Sequence, residues 1–171
     1  MTTLSPGTQH AKVTVKLSVL GEMQLDRAIQ GRIKATSDLS PAFEKIADDF
    51  IEMQEKAFAA EGAYEGNPAW APLSAKYAAW KAKKFPGRGI LERSGALKAS
   101  LTGGAGSSRE IEPLKLSIGG SVRVGRWDLG AIHQKPKATN KLPKRELINL
   151  SMTRRRRWMR WIVDMFRGEE R

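Results

Sequence analysis

The chain has 171 residues, with 30 lysines and arginines against 18 aspartates and glutamates, and a formal net charge of +12 at pH 7. A chain of this length is expected to form one domain, and because it has no cysteine it has no disulfide framework, thiolate zinc site or cysteine nucleophile. No stretch approaches the roughly 18 apolar residues of a membrane-spanning helix, and the first residues do not read as a secretory signal. We therefore expect a soluble intracellular protein with no membrane partner.

The charge is unevenly distributed along the chain. Residues 133–171 hold twelve basic and four acidic side chains, and residues 72–98 hold seven and one. The sign reverses over residues 39–61, with two basic and six acidic side chains. Separate basic and acidic surfaces suit nucleic-acid binding, and they also suit pairing with a neighbouring copy or another protein, because complementary patches steer association. The asymmetry favours the second interpretation.

The first part of the chain predicts a strand and two helices after a tail. Residues 1–10 are expected to form a flexible N-terminal tail. Residues 11–19 alternate apolar and polar side chains, which predicts a half-buried strand. Apolar residues at helical spacing predict one helix over 22–35 and a long helix over 41–61, the second bounded by a serine–proline start and a glycine stop.

Shorter elements separated by loops follow. Ser74 is a suitable N-cap for a helix that ends near Lys84, and a shorter helical stretch follows within 90–101. A terminal helix is predicted from about Glu146 to Arg167. Loops are predicted at three places: 62–73, 102–110 and 134–144.

A β-hairpin is predicted over residues 113–127. Alternating apolar residues lie on both sides of Gly119-Gly120, which we expect to form a two-residue turn. The fold class is therefore α+β, with an antiparallel β-sheet, built from the N-terminal strand and the 113–127 hairpin, flanked by helices. Residues 11–171 are expected to form this single domain.

The sequence contains no pattern typical of a catalytic or metal site. It has two histidines, His10 and His133, and a lone histidine is more often a structural hydrogen-bonding group than a catalyst. The motifs of zinc proteases, serine hydrolases, P-loop proteins and EF-hands are absent. We expect no enzyme, no cofactor and no metal. The carboxylates of the long helix are expected to form a solvated or partner-facing stripe: Glu44, Asp48, Asp49, Glu52 and Glu55.

The segment "TRRRRWMRW" (153–161) combines four consecutive arginines with two tryptophans. On a helix, Trp158 and Trp161 share one apolar face with Ile162 and Met165, at i, i+3, i+4 and i+7. We therefore interpret the tryptophans as core or interface anchors, since a single-strand binder exposes its aromatic side chains. The alternative is a small nucleic-acid-binding protein that uses this helix, with phosphate contacts through charge alone.

Two blocks of the sequence resemble the phage virion morphogenesis proteins of Mu-like tailed phages. The first is "WAPLSAKYAAWKAKKFPGRGILERSGALKASL" (70–101), and the second is "GAIHQ" (130–134) followed by "LPKRELINLS" (142–151). Two positions depart from the family pattern: Lys135 replaces the usual glycine after "IHQ", and Leu147 follows Glu146 where a proline is usual. The motif positions that we single out are Leu73, Ser74, Tyr77, Leu91, Gly95, Leu97, His133, Gln134 and Pro143.

The resemblance implies a structural role in the phage particle. Similar proteins complete or terminate the tail, or join it to the head, as rings at the neck of particles assembled in the cytoplasm of the host bacterium. The resemblance thus implies a homo-oligomeric ring, a hexamer by the usual tail symmetry or a dodecamer beside a portal. The implied partners are connector or stopper proteins and tail tube proteins, with DNA contacted only in transit. The expected contact residues are Arg154, Arg155, Arg156, Arg157, Trp158, Trp161, Glu44, Asp48, Glu52 and Trp70.

Overall fold

The computed structural model describes residues 38–136 and 142–167. It contains helices and two small antiparallel sheets, which confirms the predicted α+β class. The predicted tail 1–10, strand 11–19 and helix 22–35 lie outside the described residues. In chain order the elements are α1 Ser40–Ala59, α2 Ala75–Lys84, α3 Ala96–Leu101, β1 Ser107–Glu112, β2 Lys115–Gly120, β3 Arg123–Val124, β4 Trp127–Asp128, α4 Leu129–Gln134 and α5 Met152–Arg167.

Helix α1 is the central element and confirms the predicted long helix. Proline in its first turn suits a helix start, because that position has no intrahelical hydrogen bond to lose. Its apolar face packs against α5, α3 and β1. Phe50 and Ala47 lie in a first buried cluster with Ile118 and Trp158, and Phe58 belongs to a second cluster beyond it. One helix thus contributes to both parts of the core.

The main hairpin lies earlier in the chain than the sequence predicted. β1 pairs antiparallel with β2 through a turn at Pro113-Leu114, so most of β1 comes from the stretch 102–110 that was assigned to a loop. The predicted turn Gly119-Gly120 lies inside β2. A Cβ on Gly120 would lie 1.9 Å from the Ser100 carbonyl oxygen. This glycine therefore permits close packing of the strand on α3 and does not form a turn.

A second, smaller hairpin follows β2. β3 pairs antiparallel with β4, with Val124 opposite Trp127. Gly125 lies in the turn between them at φ 58°, in the left-handed region that glycine adopts readily. The sequence had placed Val124 in the second strand of the first hairpin, and the structure assigns it to this separate pair.

Two helix starts are fixed by serine side chains. The Ser74 hydroxyl accepts a hydrogen bond from the Tyr77 amide (3.4 Å), which confirms Ser74 as the N-cap of α2. The Ser151 hydroxyl accepts from the Arg154 amide (3.1 Å) at the start of α5. α5 therefore begins at Met152 and not near Glu146 as predicted. Within residues 38–136 and 142–167, no helix is both long and apolar enough to cross a membrane.

Candidate functional site

The two resemblance blocks contact each other through the extended segment that precedes α5. The Trp70 indole nitrogen donates a hydrogen bond to the Glu146 carbonyl oxygen (2.8 Å). The Arg145 guanidinium donates to the carbonyl oxygens of Ala71 (2.8 Å) and Pro72 (3.1 Å). The Glu146 carbonyl oxygen is therefore paired with the first block and does not accept a hydrogen bond within a helix, as expected for an extended segment.

Gln134 holds the same segment from the other side. Its amide nitrogen donates to the Ile148 carbonyl oxygen (2.9 Å), and its amide oxygen accepts from the Leu147 (2.7 Å) and Ile148 (3.0 Å) amides. The Arg145 amide donates to the His133 carbonyl oxygen (2.9 Å). Burial, reinforced by the nearby Arg145 charge, lowers the pKa of the His133 imidazole. The "IHQ" tripeptide thus acts as a structural clamp.

The other motif residues also serve mainly to shape the fold. Leu91 and Gly95 adopt left-handed backbone conformations, with φ of 66° and 81°, and Gly95 begins α3. Leu97 is buried in the second cluster, and Leu73 is half-buried. Pro143 is exposed on the segment before Lys144. A left-handed position favours glycine, which gives a physical reason for a Ser-Gly pair at this point.

Trp70 is buried within the subunit, contrary to its assignment to a partner surface. It is 5% exposed and packs edge-to-face against Phe58, with ring centroids 5.1 Å apart. A Cβ on Gly62 would lie 2.6 Å from the indole ring, so the loop backbone closes directly over it. The sequence could not show this, because the partners of Trp70 come from α1, α3 and the segment before α5.

Arg154 is likewise enclosed within the subunit, with its side chain 2% exposed. Its guanidinium donates to the Asp49 carbonyl oxygen (3.0 Å) and carboxylate, to Glu65 (2.5 and 3.1 Å) and to the Tyr64 hydroxyl (3.1 Å). The Trp158 indole donates to the same Asp49 carboxylate (2.5 Å). Burial alone would lower the pKa of Arg154, but hydrogen bonds to Glu65 and Asp49 outweigh it and raise the pKa, so the side chain stays charged.

These contacts correct two predictions, the partner-facing role of Arg154 and the solvent-facing role of Asp49. Asp49 lies three residues after Ile46 and four before Met53, so it borders the apolar face of α1 and not its acidic side. Arg154 lies four residues before Trp158, on the same side of α5. The helical spacing of these neighbours is the signal that could have identified both residues.

The rest of the arginine run divides between the subunit and solvent. Arg157 lies 3.4 Å from the Asp49 carboxylate and 3.7 Å from that of Glu65, and its guanidinium lies 5.9 Å from the centre of the Trp161 ring. Trp161 is partly buried against the first core cluster. Arg155 and Arg156 are exposed. The exposed basic surface of α5 is therefore narrower than four consecutive arginines suggest.

The outer side of α1 carries an exposed row of carboxylates, which we call the acidic stripe: Glu44, Asp48, Glu52 and Glu55. Arg109 of β1 donates to both Glu44 and Asp48, the latter at 2.6 Å. Lys56 pairs with Glu52. Glu55 has no ion pair among the described residues. Arg109 and Lys56 thus pair with three of the four carboxylates. With the exposed Lys45, which helical spacing places on the same side of α1, four negative charges face three positive ones, so the surface keeps a small net negative charge.

Helix α2 presents a second exposed surface, which we call the aromatic–lysine face: Lys76, Tyr77, Trp80, Lys83 and Lys84. Tyr77 and Trp80 are 38% and 42% exposed, and their rings stack with centroids 5.3 Å apart. Helical spacing places these five side chains on one side of α2, opposite Ala78 and Ala82. The sequence predicts Tyr77 and Trp80 as part of the apolar surface of this helix, and Tyr77 is also a motif residue.

Comparison with known families decides the class of protein. The sequence profile of the phage virion morphogenesis family matches residues 21–165. The chain belongs to the phage virion morphogenesis family. No curated protein and no solved structure matches it.

Membership in the virion morphogenesis family gives the chain a structural role in a bacteriophage virion. Both resemblance blocks lie inside the matched range, and the contacts made by Trp70, Arg145 and Gln134 show how they form one unit. For a morphogenesis protein, the exposed surfaces are the regions available to partners. Among residues 38–136 and 142–167, no group of histidine, aspartate and glutamate is arranged to hold a metal ion.

Proposed function

We propose that this family member is a ring subunit at the neck of a tailed phage, where it completes or terminates the tail and joins it to the head. The observation that carries the proposal is the presence of two exposed surfaces of opposite charge on one subunit, the acidic stripe and the aromatic–lysine face. A ring closes through heterologous contacts, in which each subunit presents two different surfaces to its neighbours. Opposite charges on those surfaces allow one copy to attract the next in such a head-to-tail arrangement.

A hexamer is the favoured ring, because a tail-side position would match the symmetry of the tail, and a dodecamer is the alternative beside a portal. The proposed partners are a connector or stopper protein on one side of the ring and the tail tube on the other. The role consists of binding and assembly and includes no catalytic step. DNA passes through such a ring and is contacted through backbone charge only, without sequence readout.

The proposal is tested in a phage whose gene for this chain carries an early stop codon. We expect separate heads and incomplete tails in the lysate, and we expect purified protein added to that lysate to restore joined, infectious particles. Arg156→Met protein, added to the same lysate, is the matched control and is expected to restore joining as the wild type does. Arg156 is exposed and lies outside both proposed contact surfaces. Joined particles of normal infectivity that form without the chain would refute the proposal.

The alternative function, nucleic-acid binding through α5, is supported by the exposed side chains of Arg155, Arg156 and Arg160. The burial of Arg154 and Trp158 weighs against it, because neither side chain is free to contact phosphate or stack on a base. A DNA mobility shift over a salt series separates the two functions. The neck proposal expects weak binding that is lost at moderate salt, whereas tight binding by a monomer that fails to restore head–tail joining would favour the alternative.

A further inference from the structure

We propose that the aromatic–lysine face of α2 on one subunit docks against the acidic stripe of α1 on the next subunit of the ring. This inference rests on the proposed function and specifies its intersubunit contact. It selects residues 76–84 from the two basic segments, 72–98 and 133–171, that the sequence offers as partners for the acidic helix 41–61.

The first argument is that α2 has little packing within its own subunit. Helices α1, α3 and α5 and the β1–β2 hairpin pack against one another, whereas no other described helix or strand packs extensively along α2. Its single buried side chain is Lys81, which reaches the Gly89 carbonyl oxygen on the inner side of the helix. The outer side is thus an unpartnered helix face that a second molecule can cover.

The second argument comes from the aromatic side chains on that face. Tyr77 and Trp80 are among the residue types most enriched at the energetic centres of protein interfaces. Their rings stack on each other at an interplanar angle of 28°, and the centre of the Phe85 ring lies 5.7 Å from that of Trp80 in an edge-on arrangement. Because Tyr77 and Trp80 stack on each other, one face of each ring is already covered and less aromatic surface is open to bases. A protein surface is therefore a better occupant than nucleic acid.

The third argument is charge complementarity between the two surfaces. Lys76, Lys83 and Lys84 make no ion pair within the described part of the subunit, so the face has an uncompensated positive charge. The acidic stripe retains a net negative charge, and Glu55 forms no ion pair with any residue that the structure describes. At 1.5 Å per residue, residues 44–55 extend over about 16 Å and residues 76–84 over about 12 Å. The two charged rows are therefore similar in length.

The fourth argument is that the two surfaces do not neutralise each other inside one subunit. The stripe forms ion pairs with Arg109 of β1 and with Lys56 of α1 itself, and among the described residues no ion pair joins it to α2. The attraction between the surfaces is thus available between copies. When this contact is made head-to-tail from one copy to the next, it is heterologous, and a repeated heterologous contact closes into a ring when the rotation allows it.

The experiment uses the full-length chain and measures oligomer mass by mass photometry and sedimentation velocity at low and high salt. The test variant is the double charge reversal Lys83→Glu and Lys84→Glu. The matched control is Arg155→Glu and Arg156→Glu, which also reverses two adjacent exposed cations. We expect the test variant to dissociate to monomer and the control to keep the wild-type mass. Circular dichroism and thermal unfolding of all variants check that the fold is retained.

Two further variants identify the occupant. Adding Glu52→Lys and Glu55→Lys to the α2 charge reversal is expected to restore the oligomer, because it exchanges the signs of the two surfaces. Trp80→Ala is expected to weaken subunit association by roughly tenfold or more, as for an aromatic residue at an interface centre. A dissociated α2 variant that the exchange fails to restore would show that α2 docks against a surface other than the acidic stripe, and would overturn the proposal.

The remaining outcomes separate this contact from the proposed function. If the α2 charge reversal leaves the oligomer intact but abolishes a DNA mobility shift, the face binds nucleic acid and the proposal is wrong. If the wild-type chain restores head–tail joining but stays monomeric in solution, the proposal is also wrong, while the role in head–tail joining stands. If the wild-type chain fails to restore joining, the proposed function itself is refuted, whatever the oligomer mass.

Discussion

Replacing Arg154 by methionine tests whether the buried ionic cluster fixes α5 on the core. Methionine fills most of the volume of the arginine stem but removes every hydrogen bond of the guanidinium to Asp49, Glu65 and Tyr64. The Asp49 carboxylate, which is 8% exposed, then stays buried without its main counterion. Removing one partner of a buried ion pair costs about 3–5 kcal/mol, because the other charge is left uncompensated.

The lower end of that range applies here. After the substitution, the Trp158 indole still donates to the Asp49 carboxylate and Arg157 lies 3.4 Å from it. We therefore expect the free energy of unfolding to fall by about 3 kcal/mol, which corresponds to a decrease in Tm of about 6–12 °C for a domain of this size. Urea denaturation monitored by tryptophan fluorescence and by circular dichroism gives the value.

The matched control is Arg156→Met, two positions along the same helix but exposed, for which we expect a change within about 0.5 kcal/mol. A double-mutant cycle with Asp49→Asn then isolates the pair. Because Asp49→Asn removes the charge that Arg154 compensates, the double variant should lose less stability than the sum of the single changes. Equal stability of the Arg154→Met and Arg156→Met proteins, or strict additivity in the cycle, would refute the reasoning.

Three further predictions concern stability. The hydrogen bond from Arg154 holds the pKa of the Glu65 carboxyl below its usual 4.5. The stability that this lowered pKa contributes is present at neutral pH and is lost as the pH falls below about 4.5. The free energy of unfolding of the wild type should therefore fall more steeply with acid than that of Arg154→Met, and parallel acid titrations would contradict this prediction. Gln134→Leu removes three hydrogen bonds to residues 147–148 and should lower the free energy of unfolding, measured in urea, by about 2 kcal/mol. An unchanged midpoint of urea unfolding would show that this clamp is dispensable. Gln54 is fully buried and its amide has no hydrogen-bond partner within residues 38–136 and 142–167, so Gln54→Met should raise the free energy of unfolding by about 1 kcal/mol, and a less stable variant would contradict this.

The elements that the sequence predicts correctly are those set by local pattern. The apolar residues of α1 recur at three and four over five turns, and a proline marks its start, so its position depends on no distant residue. The Ser74 cap is equally local, because the hydroxyl bonds to an amide three residues along the chain. The α+β class follows from the coexistence of these helices with alternating segments.

The elements that the sequence misplaces depend on distant partners. Gly119-Gly120 has the composition of a hairpin turn, but Gly120 is required by the approach of the Ser100 carbonyl oxygen, which no local pattern reveals. Arg154 and Asp49 are 105 positions apart in sequence. An arginine run and an acidic helix read separately predict two solvent-exposed surfaces, and only the tertiary contact shows that one residue of each is buried in an ion pair.

The central claim is that the chain forms a ring at the phage neck, and an averaged electron-microscopic image of the neck tests it most directly. Particles from the wild-type phage should show a closed ring of density between head and tail, a hexamer on the tail side. This density should be absent from the heads and tails of the stop-codon phage and should return when purified protein is added. A neck of unchanged density in particles that lack the chain, or a label on the chain located elsewhere in the particle, would contradict the claim.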